Sequence, residues 1–156
     1  MPIFDDKSII ALSKMDNSKK LIYELEKTLH LIKNKTLAVF RENNFPVSKE
    51  QWLILERVAA DEGTNQKDIA KDTFKDPAAL TRMLDLLVEK GFVQRKASKS
   101  DRRTFDIYLT VEGKRLVNKI APILDAFNSS IEKNVTKEDE KYLLLLLHKL
   151  QSKLTA

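Results

Sequence analysis

Cysteine is absent from this sequence of 156 residues. Without thiols the chain cannot form disulfides, use a thiolate nucleophile or sense oxidants through cysteine. The absence is compatible with a reducing compartment, and we expect a cytoplasmic protein.

Long apolar runs are also missing. The longest is the five leucines Leu143–Leu147, whereas a membrane-spanning helix needs about 20 apolar residues. The N-terminus carries Asp5 and Asp6 where a secretory signal would carry positive charge, so we expect no membrane partner. Glycine (3) and proline (4) are too scarce for a loop-rich or collagen-like chain, and the length fits one domain.

Patterns that would indicate an enzyme are lacking as well. The sequence contains no glycine-rich phosphate loop, no paired catalytic carboxylates and no metal-ligand cluster. Its two histidines, His30 and His148, stand far apart in amphipathic helical patterns, and we interpret each as a packed or surface residue. We therefore predict that the protein is not an enzyme and has no catalytic residue, cofactor or metal.

Apolar residues recur at helical spacing through most of the chain. This spacing predicts a first helix over 19–40, which Pro46 separates from the second. A capping box of Ser48 and Gln51 is predicted to begin that second helix. Its apolar stripe is predicted to contain Trp52, Leu55, Val58 and Ala59.

The next two predicted helices form a helix-turn-helix pattern. The first is short and follows Asn65, a predicted N-cap, while the second begins at Asp76 and Pro77 and ends at Gly91. Its buried stripe is predicted to contain Leu80, Met83, Leu84, Leu87 and Val88. Its outer face is predicted to contain Ala78, Thr81, Arg82, Asp85 and Glu89.

A charged hairpin is predicted to follow. The segments "FVQRKA" and "TFDIYLT" flank the tip "SKSDRR", a pattern typical of two strands around a loop. Six basic residues and one acidic residue stand between Lys90 and Arg103, which equals the whole net charge of +5. A polyanion partner requires such a patch, although an ordinary solvated charge cluster gives the same pattern.

Two helices are predicted to complete the chain. Thr110 should cap a long helix in which Pro122 causes a kink or a break, and Thr136 should cap the last helix. The last helix carries leucine on all sides, and Leu150 and Leu154 extend the stripe. Such a helix is buried either between its own chain and a second copy or wholly within its own chain.

A helix-turn-helix followed by a two-stranded wing is a DNA-reading arrangement. The segment "DPAALTRMLDLLVEKGFVQRKASKSDRRTFDIYLTVEG", with the Asp-x-Arg of Asp101 and Arg103 and the "LT-x-x-G" ending at Gly113, resembles the MarR-type winged-helix transcription regulators. The upstream "SKEQWLIL" matches the same family. The resemblance implies one mainly α domain over 1–156. It would have a winged helix-turn-helix at about 48–110 and dimerisation helices at about 19–45 and 111–156.

The resemblance also implies roles for the charged tip. Arg103 would enter a minor groove, whose concentrated negative potential attracts a guanidinium, and Asp101 would hold that guanidinium in position. The alternative is an ordinary exposed ion pair of little energetic value. Lys99 and Arg102 on the same tip are further candidates for DNA contact.

Six residues outside the wing are predicted to contact DNA: Asn65, Gln66, Lys75, Ala78, Thr81 and Arg82. Ala78, Thr81 and Arg82 are candidates for the major groove, where threonine can touch a thymine methyl or a phosphate. Arg82 either reads a base, clamps the backbone or pairs with a neighbouring acid. Lys75 is assigned to a phosphate, and so are the helix amides around Asn65 and Gln66.

The resemblance finally implies a homodimeric repressor of a roughly palindromic site in double-stranded DNA. Many relatives bind small aromatic or anionic molecules between the dimerisation helices and the winged domain. His30 and Trp52 are candidates to line such a cleft here, although Trp52 also fits the core. Two alternatives stay open: a winged-helix module that binds protein, and a DNA-binding regulator that responds to no ligand.

Overall fold

The computed structural model describes residues 17–98 and 104–155. The elements in these ranges are α1 (Asn17–Glu42), α2 (Lys49–Ala60), β1 (Thr64–Asn65), α3 (Gln66–Asp72), α4 (Pro77–Glu89), β2 (Val93–Ala97), β3 (Phe105–Leu109), α5 (Val111–Glu132) and α6 (Lys137–Leu154). The expected mainly helical winged-helix fold is confirmed.

Side-chain caps fix where the helices begin. At the start of α2, the Gln51 amide donates to Ser48 Oγ over 3.1 Å and the Ser48 amide donates to Gln51 Oε1 over 3.1 Å, a complete capping box. Asn65, Asp76 and Thr110 each accept a hydrogen bond from the amide three residues ahead. Thr136 does the same for α6. The five predicted caps are confirmed, because each needs only a side chain and an amide that are close in sequence.

The wing belongs to a three-stranded antiparallel sheet in the order β1-β3-β2. Strands β2 and β3 form the predicted hairpin, with Val93 opposite Leu109 and Ala97 opposite Phe105. The prediction of two strands missed β1, a two-residue strand that pairs with Ile107 and Asp106 of β3. So short a strand has no periodicity of its own, and its pairing with β3 is a tertiary contact.

The core lies under the helix-turn-helix. Its fully buried side chains come from α2, α3, α4, β3 and α5: Ile54, Leu55, Val58, Ile69, Leu80, Leu84, Leu87, Ile107 and Ile120. Two predicted stripe residues are exposed instead, Ala59 on α2 and Val88 on α4. Both lie in the last turn of their helix, where the chain leaves the core, whereas Ile54 takes a buried place that the stripe did not include.

Of the kink or break expected at Pro122, the break does not occur. Helix α5 runs without interruption from Val111 to Glu132. A proline removes the hydrogen bond to the carbonyl four residues earlier, here that of Asn118. Both Pro122 and Asn118 are exposed, so water can satisfy the carbonyl that loses its partner.

Two helices extend beyond this core. No residue of α6 is buried. Over residues 20–42 of α1, only Thr36 and Phe40, near the C-terminus, are buried. Large apolar side chains are exposed on both helices: Leu21, Ile22, Tyr23, Leu29, Leu31, Ile32, Tyr142, Leu143, Leu144, Leu145, Leu146 and Leu154. Neither these helices nor any other helix within 17–98 and 104–155 is apolar enough over a sufficient length to cross a membrane.

Candidate nucleic-acid interface

The outer face of α4 is fixed at its N-terminus. Asp76 Oδ1 accepts the Ala79 amide at 2.9 Å, and Pro77 occupies the first helical turn. Ala78, Thr81 and Arg82 are exposed side by side on this face. The structure therefore brings the three candidates for major-groove contact onto one surface.

A hydrogen bond joins the starts of α3 and α4. Gln66 Nε2 donates to Thr81 Oγ1 at 2.5 Å, and Thr81 Oγ1 donates to the Pro77 carbonyl at 2.8 Å. The single hydroxyl proton of Thr81 is thus already used. A phosphate needs a donor, so Thr81 could bind one only by giving up its bond to Pro77.

The cap of α3 is also occupied. Asn65 Oδ1 accepts the Asp68 amide at 2.9 Å, and Asn65 Nδ2 donates to Asp68 Oδ2 at 2.6 Å. One amide at this helix start is therefore already satisfied. The Asp68 carboxylate, which would repel a phosphate, lies at the same place.

Three cations of the basic segment have partners within the protein. Lys90 Nζ donates to the Pro46 carbonyl at 2.8 Å. Arg95 pairs with Asp85 on α4 at 2.6 Å, and Lys96 Nζ lies 4.6 Å from the centre of the Tyr108 ring. The Arg95 and Lys96 contacts hold β2 to α4 and to β3, and the Lys90 contact holds the end of α4 to the segment before α2. The three charges are therefore less available to a polyanion than the sequence indicates.

Unpaired cations lie on the helix-turn-helix itself. Lys67, Lys71, Lys75 and Arg82 have no hydrogen bond or ion pair with any other described residue through their side chains. Sequence reasoning missed Lys67 and Lys71 as candidates. The four-residue spacing of Lys67 and Lys71 was a usable signal because such a spacing puts side chains on one face of a helix. Lys75 lies past the end of α3, in the turn before α4.

Arg57 fixes α3 against α2. Its Nε donates to Asp72 Oδ2 at 2.5 Å and its Nη2 to Asp61 Oδ2 at 3.3 Å. These hydrogen bonds, that of Asp72 above all, raise the pKa of Arg57 above its ordinary value. The helix that carries Lys67 and Lys71 is thereby held in place by a charge-assisted contact.

The wing tip falls outside the described residues. Lys99, Asp101, Arg102 and Arg103 all lie in 99–103, so their predicted roles stay predictions. The described base of the wing borders a cleft of about 450 Å³ with the helix-turn-helix. Its lining includes Asn65, Gln66, Lys67, Pro77 and Phe105.

The two candidates for a ligand cleft lie apart from the cavity between α1 and α2. His30 is exposed on α1 and hydrogen-bonds Asn34, whereas Trp52 is 3% exposed in the core. A cavity of about 860 Å³ lies instead between the C-terminal part of α1 and the start of α2, and neither residue lines it. Across the two described ranges, no three His, Cys, Asp or Glu side chains come close enough together to hold a metal ion.

Comparisons with known proteins agree with this geometry. Residues 47–105 match the family model described as MarR family. Over 116 residues the chain is 27% identical to "Uncharacterized HTH-type transcriptional regulator YhbI" of Bacillus subtilis (strain 168), an alignment that covers 74% of this chain and 70% of YhbI.

Two solved structures share the fold over most of the chain. The S. aureus MepR–DNA complex matches with a TM-score of 0.79 and 23% identity, covering 89% of this chain and 99% of that one. An E. coli MarR mutant complexed with operator DNA matches with a TM-score of 0.71 and 25% identity, covering 87% and 99%. Both similarities extend beyond the helix-turn-helix and wing.

Proposed function

We propose that this protein is a transcription regulator of the MarR family, whose model matches residues 47–105, and that it acts as a homodimeric repressor that binds a roughly palindromic site in double-stranded DNA. The observation that carries the proposal is the outer surface of the helix-turn-helix. It presents the unpaired cations Lys67, Lys71, Lys75 and Arg82 beside a capped helix with small side chains at its start. Comparable structures, MepR and MarR, were solved in complex with DNA.

On this proposal α4 lies in the major groove. Arg82 is the one long unpaired donor among the three candidates on its outer face, and arginine binds guanine O6 and N7. Thr81 contributes its methyl group to a thymine methyl, because its hydroxyl proton is donated to Pro77. Ala78 offers only van der Waals contact, so direct base reading is sparse.

DNA shape supplies the remaining specificity. The wing contributes through Arg103, with Asp101 as its orienting partner and Lys99 and Arg102 on nearby phosphates. Arg103→Ala should weaken operator binding strongly without loss of fold or dimer, and Asp101→Ala should weaken it less. Unchanged affinity in both variants would contradict the assignment of the wing.

Dimerisation brings two such surfaces to one duplex. The exposed apolar side chains of α1 and α6 are the surfaces that a second copy would cover. A twofold dimer places its two recognition helices about one duplex turn, about 34 Å, apart. This geometry is what makes a palindromic site the expected target.

A salt titration tests DNA binding. Because each phosphate contact releases counterions, log affinity should fall linearly and steeply with log salt concentration. Arg82→Ala should weaken binding of a selected duplex by about tenfold or more. The matched control is Arg115→Ala, which removes an arginine paired with Glu112 on α5. A flat salt dependence would instead favour a winged-helix module that binds protein.

The cavity between α1 and α2 is the proposed effector site. Its volume of about 860 Å³ lies within the range of small-molecule sites, and Phe40, Arg41 and Lys49 are among its lining residues. An aromatic ring with two cations suits an anionic aromatic molecule. A ligand that favours one spacing of the two winged domains would release DNA by shifting that equilibrium.

Calorimetry with a panel of aromatic carboxylates tests this part of the proposal. Arg41→Ala should weaken binding of any ligand found, and the ligand should lower the affinity for DNA. No heat of binding across the panel, with one rigid domain spacing in structures with and without DNA, would favour a regulator without an effector.

A further inference from the structure

Three of the helices in the described ranges end in the same hydrogen-bonded motif. In a Schellman motif the first residue past the helix cap takes a left-handed conformation, and it is usually glycine or asparagine. The second residue past the cap usually makes an apolar contact with the last turn. Comparison of the three copies shows which one departs from these preferences.

The motifs at the ends of α1 and α4 follow both preferences. At the end of α1, Asn44 has φ +50° and the Phe45 amide donates to the Phe40 carbonyl at 3.2 Å, while the two rings pack edge to face at 5.2 Å. At the end of α4, Gly91 has φ +74° and Phe92 packs against the core.

The motif at the end of α3 departs from both preferences. The hydrogen bonds are the same, with the Phe74 amide donating to Lys71 at 3.3 Å and the Lys75 amide to Ala70 at 3.0 Å. However, the left-handed position with φ +53° is held by Phe74, and the position that normally packs is held by Lys75. A bulky side chain in this conformation is strained.

The ring of Phe74 is not used for packing. Phe74 is 96% exposed, the highest exposure among the large apolar residues of the described chain. A single exposed apolar residue needs no explanation by itself. At Phe74 the backbone is strained, and the apolar contact that usually accompanies the motif is missing as well. Such a local conflict indicates a functional constraint.

The position of Phe74 identifies the partner. In a helix-turn-helix the first helix crosses the DNA backbone and the start of the second enters the major groove. Phe74 lies in the turn between them, three residues before Pro77 begins α4. In the proposed docking, this turn lies beside a sugar–phosphate strand at the edge of the groove. Lys71 and Lys75 flank Phe74 and are free of other described side chains.

We infer that Phe74 is a DNA contact whose ring packs on a deoxyribose next to the phosphate that Lys75 binds. The inference rests on the proposed DNA binding. An apolar ring on a sugar adds affinity without reading sequence, because every nucleotide offers the same sugar face.

The test compares stability with affinity. Phe74→Gly relieves the left-handed strain, so the melting temperature should equal or exceed that of the parent. Affinity should nevertheless fall about tenfold for a selected operator and equally for an unrelated duplex. Phe74→Asn should behave alike, because asparagine also tolerates this conformation. Val88→Ala, which trims an exposed apolar residue at the opposite end of α4, should bind as the parent does.

Salt dependence separates the ring from its charged neighbour. Phe74→Gly should keep the slope of log affinity against log salt, whereas Lys75→Ala should reduce it by about one per bound subunit.

Three outcomes would overturn the inference: parental affinity in Phe74→Gly, a loss confined to the operator, or a lower melting temperature that shows packing within the protein. A parent that binds no duplex would instead overturn the proposed function.

Discussion

Introducing a charge on α6 tests the dimer most directly. Leu144 and Leu146 are 47% and 58% exposed in the single chain. Residues two apart on a helix lie about 200° apart around its axis. If a second copy encloses the helix on all sides, Leu144→Glu and Leu146→Glu should each disrupt the dimer. If the partner covers one face, only one of them should.

The expected size of the effect follows from the exposure. Covering the exposed half of a leucine contributes about 1 kcal/mol, and burying an unpaired carboxylate in its place costs at least about 2 kcal/mol. Twofold symmetry doubles both contributions. The dimer should therefore be weakened by about 6 kcal/mol, which corresponds to roughly a 10⁴-fold rise in the dissociation constant.

Sedimentation velocity over a range of protein concentrations measures that constant. Leu86→Glu is the matched control, because Leu86 is 47% exposed but lies on α4. Secondary structure should persist in all three variants, since no residue of α6 is buried within the chain and Leu86 is an exposed residue of α4. A parent that sediments as a monomer at micromolar concentration, or a dimer unaffected by both α6 variants, would refute the reasoning.

Three further predictions concern stability and pH. Gly113→Ala should cost about 2–4 kcal/mol in urea unfolding, because a Cβ at Gly113 would lie 2.0 Å from the Phe92 carbonyl oxygen; parental stability would contradict this close approach. Desolvation of the carboxyl group and then the nearby Asp125 raise the pKa of Glu56, so stability from its protonated form is lost as pH rises through the folded-state pKa. Glu56→Gln should therefore melt above the parent near neutral pH, and the difference should vanish below about pH 4; a constant difference would count against it. Ser48→Ala should cost about 1 kcal/mol by removing half of the capping box, and an unchanged unfolding midpoint would show that the cap contributes nothing.

Local features of the fold could be predicted from the sequence. A cap joins residues three apart, so the starts of α2, α3 and α4 were visible in the sequence alone. The buried stripe of α4 was visible too, except at Val88, where the helix extends past the core.

Contacts between distant segments could not be predicted in this way. Strand β1 exists only because Thr64 and Asn65 pair with β3. The bond from Lys90 to the Pro46 carbonyl spans 44 residues, and no periodicity signals it. The count of basic residues in the sequence therefore included Lys90 as a free charge. The strained turn at Phe74 was equally hidden, because phenylalanine does not mark a left-handed residue.

Paired and free cations contribute to binding in different ways, although both count equally in the net charge. Arg95, Lys90 and Lys96 attach the wing strands and α4 to their neighbours, which orders the surface before any partner arrives. Ordering in advance lowers the entropy lost on binding, whereas counterion release depends only on cations that reach phosphates. The salt dependence of DNA binding should therefore report Lys67, Lys71 and their unpaired neighbours together with the wing tip, and not the whole basic segment.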